Sequence, residues 1–261
     1  MIRRRLYIDE RMSRLAAWSL RIAVFAVPVT MLGVVLHWTE TLDFRASLST
    51  ILTGLVLATF ALLLAVAAFA VIWNEGLKGL GRVVGAAAIA LALIGPPAAL
   101  AALSARLPPI HDVSTDTEDP PAFGPLSFAR PRAANALDYP GEAVALQQRN
   151  AYPQLKPLDF DATPDEIYNS LLALVTRRKW RVVDAAPPRG GAREGRIEAV
   201  ARSPFLGWRD DIVIRVRQTP DGARVDVRSV SRYGARDFGS NAKRIDGLLA
   251  ELAEERGKRR R

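Results

Sequence analysis

Three arginines in two neighbouring predicted strands have the residue type and spacing that could hold an anion. Arg215 and Arg217 occur in "DIVIRVR", and Arg228 occurs in "ARVDVRSVSR". Since alternate residues of a strand share one face, these side chains are expected on one charged face of a sheet. Arginine binds phosphate or carboxylate through two parallel hydrogen bonds. The face therefore fits either a platform for an anionic partner or a solvated surface with cross-strand ion pairs.

A second polar cluster occupies a glycine-rich turn between a strand and a helix, "SVSRYGARDFGSNAKR". Its polar members are Ser231, Arg232, Asp237, Asn241 and Arg244. Backbone N–H groups at the start of a helix attract anions, and a nearby arginine would strengthen that attraction. The structural alternative, which we favour, is that Asp237 or Ser240 caps the helix and that Arg232 pairs with Asp237.

The rest of the composition argues against catalysis. The chain has no cysteine and only two histidines, His37 and His111. Disulfides, thiolate chemistry, cysteine-ligated zinc and iron–sulfur clusters are therefore excluded, and histidine-based catalysis nearly so. Neither a nucleophile elbow nor a phosphate-binding loop is present. We expect no enzymatic activity, no metal and no cofactor.

The elements that carry both clusters form an α+β domain. Alternating apolar and polar residues predict five strands, and two amphipathic segments predict helices, in the order β-α-β-β-β-β-α. Short turns between consecutive strands favour an antiparallel sheet with the two helices on one face. The strands are expected in "QLKPLDF", "WRVVDAA", "GRIEAVARS", "DDIVIRVRQ" and "ARVDVRSVSR", and the helices in "ATPDEIYNSLLALVTRRKW" and "SNAKRIDGLLAELAEER". Thr163 can cap the first of these helices, and a short helical stretch is expected before the first strand, in "GEAVALQQRNAYP".

The N-terminal part of the chain is apolar enough to lie in a membrane. Residues 16–38, 46–73 and 83–105 are apolar stretches with one charge between them, Arg21. About 20 apolar residues in a helix cross the hydrocarbon core of a bilayer, which is roughly 30 Å thick. The sequence therefore predicts three transmembrane helices.

The charges that flank these helices predict their orientation. Five arginines precede the first span, whereas the loop after it has Arg45 alone, and the loop after the second has Lys78 and Arg82. Because cytoplasmic flanks are rich in Lys and Arg, we expect a cytoplasmic N-terminus and a C-terminal domain on the outer side. In a Gram-negative bacterium that is a multi-pass inner-membrane protein with a periplasmic domain.

Four regions follow from these patterns. They are a three-helix transmembrane anchor (1–105), a proline-rich extracytoplasmic tether (106–138), a soluble α+β domain (139–256) and a basic tail (257–261). The acidic run of the tether, residues 112–119, lacks the glycine and the final glutamate of a calcium loop and is interpreted as solvated. Residues 122–256 should then fold alone.

Several strings in the C-terminal part resemble a bacterial family called domain of unknown function 1499. The resemblance covers roughly residues 110–250, and members with several N-terminal spans are common in that family. It implies no activity and no catalytic residues. The matching strings are "IHDVSTDTEDPP", "YPGEAVALQQRNAYPQLKPL", "GRIEAVARSPFLGWRDDIVIRVR" and "VDVRSVSRYGARDFGSNAKRI".

Taken together, the sequence predicts a non-enzymatic inner-membrane protein. Its partners would be the lipid bilayer and an anionic lipid, an envelope polymer or an envelope protein. One alternative is an enzyme or lipid-handling module with a cleft between helix and sheet. The other is a cytoplasmic basic domain that binds nucleic acid, which lacks support from any stacking motif or recognition helix. The candidate binding residues are Arg215, Arg217, Arg228, Ser231, Arg232, Asp237, Asn241 and Arg244.

Overall fold

The structure, a computed structural model, describes residues 11–188, 194–203 and 206–259. It divides into two compact units, Met1–Leu103 and Ser104–Arg261. Over its described residues the first unit is built from long helices, and the second contains a sheet with helices.

The first unit consists of three long apolar helices. They are α1 (Arg14–Trp38), α2 (Phe44–Glu75) and α3 (Leu80–Leu103). Ser13 caps α1 and Asp43 caps α2, because each side chain accepts a hydrogen bond from a backbone N–H of the first turn. Each helix is long and apolar enough to cross a membrane. The predicted spans are thus found as helices, which is compatible with a multi-pass membrane protein.

Small residues let these helices approach closely. Ala23, Ala61 and Ala86 are fully buried between them. At Gly54 an added Cβ would lie only 2.1 Å from the hydroxyl of Thr30, so α1 and α2 meet there at the backbone. Such contacts are typical of helices that associate by packing rather than by burying apolar surface from water.

The second unit is built around one antiparallel sheet. The elements are β1 (Asp112–Ser114), α4 (Glu142–Ala151), β2 (Leu158–Phe160), α5 (Pro164–Arg177), β3 (Arg181–Ala186), β4 (Glu194–Arg202), β5 (Arg209–Thr219), β6 (Gly222–Ser231) and α6 (Ser240–Arg259). The strands follow the order β1-β6-β5-β4-β3, and β2 also pairs with β6. The antiparallel sheet and its helices confirm the predicted fold class, α4 lies in the predicted short helical stretch, and β1 adds a strand that the pattern does not predict.

Helices α5 and α6 pack on one face of the sheet, as the alternation predicts. The apolar positions of β5, such as Ile212 and Ile214, are fully buried in one core with Leu171 of α5 and Leu248 of α6. The start of α5 is also as predicted, since the hydroxyl of Thr163 accepts a hydrogen bond from the N–H of Glu166.

The opposite face of the sheet is covered by the proline-rich segment before α4, which differs from the tether that its prolines predict. Asp112 pairs with Val230 as part of β1 at the edge of the sheet, and Leu126, further along the segment, is fully buried. The segment stays on the sheet because its carboxylates and carbonyl oxygens meet arginines there. Residues 110–139, called the cover segment below, therefore form a third layer of the domain.

The free edge of β1 is closed by Gln148 from α4. Its side-chain oxygen accepts from the N–H of Ser114 (2.9 Å), and its amide donates to the carbonyl of Ser114 (2.6 Å). The side chain thus takes the hydrogen bonds that another strand would make, and it blocks that edge against pairing with a second chain.

We expect Gln148→Ala to lower the free energy of unfolding by about 1–3 kcal/mol, because it leaves two buried backbone groups of Ser114 unsatisfied. Urea unfolding followed by circular dichroism measures this change. The exposed neighbour Gln147 provides the control, and Gln147→Ala should change stability by less than about 0.5 kcal/mol. Equal effects of the two substitutions would contradict this role for Gln148.

Candidate functional site

The eight candidate residues divide between the two faces of the sheet. Four arginines lie on the face under the cover segment, as the alternation in β5 and β6 requires, whereas the other four residues lie on the opposite side, in α6 or beside it. The first set is Arg215, Arg217, Arg228 and Arg232, and the second is Ser231, Asp237, Asn241 and Arg244. The structure does not bring the eight together into one site.

Arg228 lies in a fully built internal site. Its guanidinium makes two hydrogen bonds to the carboxylate of Asp112, at 3.0 and 2.7 Å, and donates to the carbonyls of Pro121 and Leu137. The rings of Phe123 and Tyr139 lie 5.4 and 5.3 Å from its Cζ. Its side chain is only 3% exposed, so these protein groups surround it and close it off from solvent.

Arg215 and Arg217 share carboxylates of the same acidic run. Arg217 binds Asp119 at 2.8 Å and Asp116 at 3.3 Å, and Arg215 binds Asp119 at 3.1 Å. Both arginines also bind Asp226 on the neighbouring strand, Arg217 at 2.9 Å and Arg215 at 3.1 Å. The four arginines under the cover segment are called the arginine face below. The acidic run 112–119, which the sequence predicts to be solvated, therefore supplies counter-ions to this face.

Arg232 pairs with Asp211 and not with Asp237, so that predicted pair is wrong. Its Nη2 and Nε lie 2.7 and 2.9 Å from Oδ1 of Asp211, and Arg130 of the cover segment adds a third bond at 2.7 Å. The reason is register, because Arg232 lies two residues after Val230, which is directly opposite Asp211. Asp237 follows the strand and lies near α6 on the other face.

The residues near α6 anchor that helix to the sheet. Asp237 accepts hydrogen bonds from the N–H groups of Gly239 and Asn241, both at 2.9 Å, which confirms it as the helix cap. The amide of Asn241 bonds Ser231 at 3.0 Å, and Arg244 bonds Asp210. The polar groups of the turn are therefore hydrogen-bonded to one another. The carboxylate of Asp237 already binds N–H groups at the start of the helix, where an anion would otherwise bind.

Glu198 is a charged residue of this face that sequence reasoning did not single out as a site residue. It is fully buried, and its oxygens accept from the N–H groups of Gly124 and Leu126 at 2.5 and 2.7 Å. Arg196 approaches the same carboxylate at 3.1 Å. The cover segment is thus fixed to the sheet by backbone as well as side-chain contacts.

These contacts define what the arginine face can do chemically. Each arginine already holds one or more carboxylates, so the face is neither an open anion platform nor a solvated surface. Among the described residues, no group of three or more His, Cys, Asp or Glu could hold a metal ion. The arrangement is a built electrostatic interface between the sheet and the cover segment.

Asp226 is the carboxylate of this interface whose protonation is perturbed. Burial raises its pKa above the usual value, more strongly than Arg215 and Arg217 lower it. The folded domain therefore binds this proton more tightly than the unfolded chain does. The resulting stability is present in acid and is lost as the pH rises through the raised pKa.

We expect the free energy of unfolding of the wild type, relative to Asp226→Asn, to fall as the pH rises from about 4 towards 7. Urea unfolding of residues 104–259 at several pH values measures this difference. Asp159→Asn is the control of opposite sign, because its hydrogen bond to Arg224 lowers the pKa of Asp159. Parallel pH profiles of the two variants would contradict the assignment.

The fold and the site define the class of protein. It combines three apolar helices with an α+β domain whose sheet is joined to the cover segment by buried ion pairs. The family model described as "Protein of unknown function (DUF1499)" matches residues 112–252, and the chain belongs to that family. The match begins at Asp112, so it includes most of the cover segment. No curated protein and no solved structure matches the chain.

Proposed function

We propose that the protein is a non-enzymatic inner-membrane protein that displays its α+β domain in the periplasm, where the domain binds an anionic envelope component or a partner protein. The three apolar helices and the family membership are compatible with this function.

One observation on the helical unit supports the orientation. The N–H of Ser13 donates to the carbonyl of Lys78 (2.9 Å), and the N–H of Lys78 donates to the carbonyl of Arg11 (3.0 Å). Arg11 and Ser13, just before α1, and the loop between α2 and α3 therefore share one end of the bundle. Since Lys and Arg concentrate on the cytoplasmic side, this end is the cytoplasmic one in the proposal.

The packing of the second unit supports a binding domain over an enzyme or a lipid-handling module. The apolar side chains between helices and sheet, such as Leu171 and Ile212, are fully buried, so this layer is a packed core. The polar groups of the turn, such as Asn241, are buried and bonded to one another. The aspartates on the arginine face also reduce the positive surface that a nucleic-acid-binding domain would need.

Reporter fusions test the orientation. Alkaline phosphatase fused after the C-terminus should be active, and a fluorescent protein that folds only in the cytoplasm should stay dark there. Fusions at Gly76, between α2 and α3, provide the matched control and should give the reverse result. A fluorescent C-terminal fusion would overturn both the topology and the class of partner. Purification in mild detergent, followed by mass spectrometry of bound lipids and proteins, tests the partner.

A further inference from the structure

A polar cleft of about 440 Å³ lies on the second unit, and none of the eight candidate residues lines it. It is bounded by the loop after β1, by the end of α4 with the loop that follows it, and by the start of β6. Its lining includes Thr117, Arg149, Tyr152, Leu155, Lys156 and Arg224. This volume is in the range of sites for small molecules.

The basic side chains of the cleft differ from those under the cover segment because they can be reached from solvent. Arg149 bonds Thr117 at 3.0 Å and also pairs with Glu142, which is 76% exposed. Arg224 makes two hydrogen bonds to Asp159, which is 58% exposed. Exposed pairs of this kind are weak, so an incoming anion can replace either carboxylate without leaving a buried charge unpaired.

The lining of the cleft carries more positive than negative charge, which favours an anion. Arg149, Lys156 and Arg224 contribute three cations, and Glu118, which is exposed, contributes one carboxylate. The carboxylate of Asp116 also lines the cleft, but it is held by Arg217 and by the N–H groups of Glu118 and Asp119. A phosphate monoester carries nearly two negative charges and three acceptor oxygens, which match two guanidinium forks and an ammonium.

The remaining wall indicates what carries the phosphate. Tyr152, Pro153 and Leu155 line the cleft with carbon-rich surface. The volume is larger than a phosphate ion needs, so there is room for a glycerol or a sugar against this wall. From this geometry we propose that the cleft binds a phosphate group carried on glycerol or a sugar, either as a soluble ester or as a lipid headgroup.

The proposal rests on the proposed function, in that it gives the anionic envelope component a chemical class and a site. The full chain, held in discs of zwitterionic phosphatidylcholine, is titrated with glycerol 3-phosphate by calorimetry. In parallel, detergent-solubilised chain is mixed with phosphatidylglycerol, and bound lipid is counted by native mass spectrometry. If glycerol 3-phosphate binds, the cleft takes a soluble ester. If only phosphatidylglycerol binds, the cleft takes a lipid headgroup.

The variants Arg149→Gln and Arg224→Gln should weaken whichever probe binds by roughly tenfold or more, because each loses a charge-assisted fork. Arg177→Gln is the matched control, since Arg177 is 55% exposed and paired with Glu251 outside the cleft. An unchanged thermal midpoint shows that the variants fold. The proposal is overturned if neither probe binds, or if the cleft variants bind as tightly as Arg177→Gln. These titrations do not depend on the side of the membrane, so they fail or succeed independently of the reporter fusions.

Discussion

Asp112→Asn should lower the free energy of unfolding of the α+β domain by about 3–5 kcal/mol, the largest effect that we expect from a single substitution. Asp112 and Arg228 are almost fully buried, and they meet through two short hydrogen bonds. Removing the carboxylate charge leaves a guanidinium in a low-dielectric site with only carbonyls and rings around it. Because domains are stable by roughly 5–15 kcal/mol in total, the variant loses much of its folded population.

The same strand carries a matched control for this experiment. Arg224 and Asp159 form the same type of two-bond pair between β6 and β2, but their side chains are 42% and 58% exposed. Asp159→Asn should therefore cost less than about 1 kcal/mol. Urea unfolding of residues 104–259 compares the two variants. A loss at Asp112 no greater than the loss at Asp159 would show that burial of the pair contributes little.

The double variant Asp112→Val with Arg228→Met separates the pair from its surroundings. Replacing both charges by apolar groups removes the uncompensated charge, so the double variant should be more stable than either single variant. Additive losses would mean that the carbonyls of Pro121 and Leu137, rather than Asp112, determine the stability of this site.

The fold could be predicted from the sequence where periodicity is strong. The alternation in β4, β5 and β6 predicts the strands, and the apolar spacing in α5 and α6 predicts the helices that cover one face. The residues Thr163 and Asp237 predict helix starts because capping needs only local contacts. Each of these signals acts within a few residues of the chain.

The cover segment could not be predicted in the same way. Asp112 and Arg228 are 116 residues apart in the chain, and the prolines of this segment remove any periodic pattern. One signal was nevertheless present, since Val200, Val213 and Val230 alternate with the charged residues and fall on the same face. All three are buried under the cover segment. Apolar side chains among the charged residues of one sheet face indicate that another segment of the chain covers that face.

The candidate site was predicted with the right residue types but with the wrong partners. Arginines on a strand predict charge on one face, whereas their counter-ions depend on register and on distant segments. Arg232 illustrates this, because the nearest acidic residue along the turn is Asp237, but its partner is Asp211, which lies on the neighbouring strand diagonally across from it. Proximity along the chain is thus a poor guide to ion pairing, because residues close in sequence can lie on opposite faces of the sheet.

A fragment of residues 104–259 should unfold cooperatively, whereas residues 122–256 should not fold at 25 °C. Helices and strands alone predict that the shorter fragment suffices, but it lacks β1 and the three aspartates that pair with Arg215, Arg217 and Arg228. Losing the carboxylate that pairs with Arg228 costs about 3–5 kcal/mol, and the truncation also removes Ile110 and Val113 from the core, so the sum reaches what a domain of this size can lose. Thermal melts followed by circular dichroism compare the two fragments.

A fragment of residues 104–256 is the control for the C-terminal truncation, and it should melt like residues 104–259. A synthetic peptide of residues 104–124, added to the shorter fragment, should restore cooperative unfolding because it returns β1 and its carboxylates to the sheet. The same peptide with Asp112→Asn should restore it only weakly. A cooperative melt of residues 122–256 without peptide would mean that the helix-covered face alone holds the fold. The arginine face would then have to tolerate exposure, which would leave it open to an external anion.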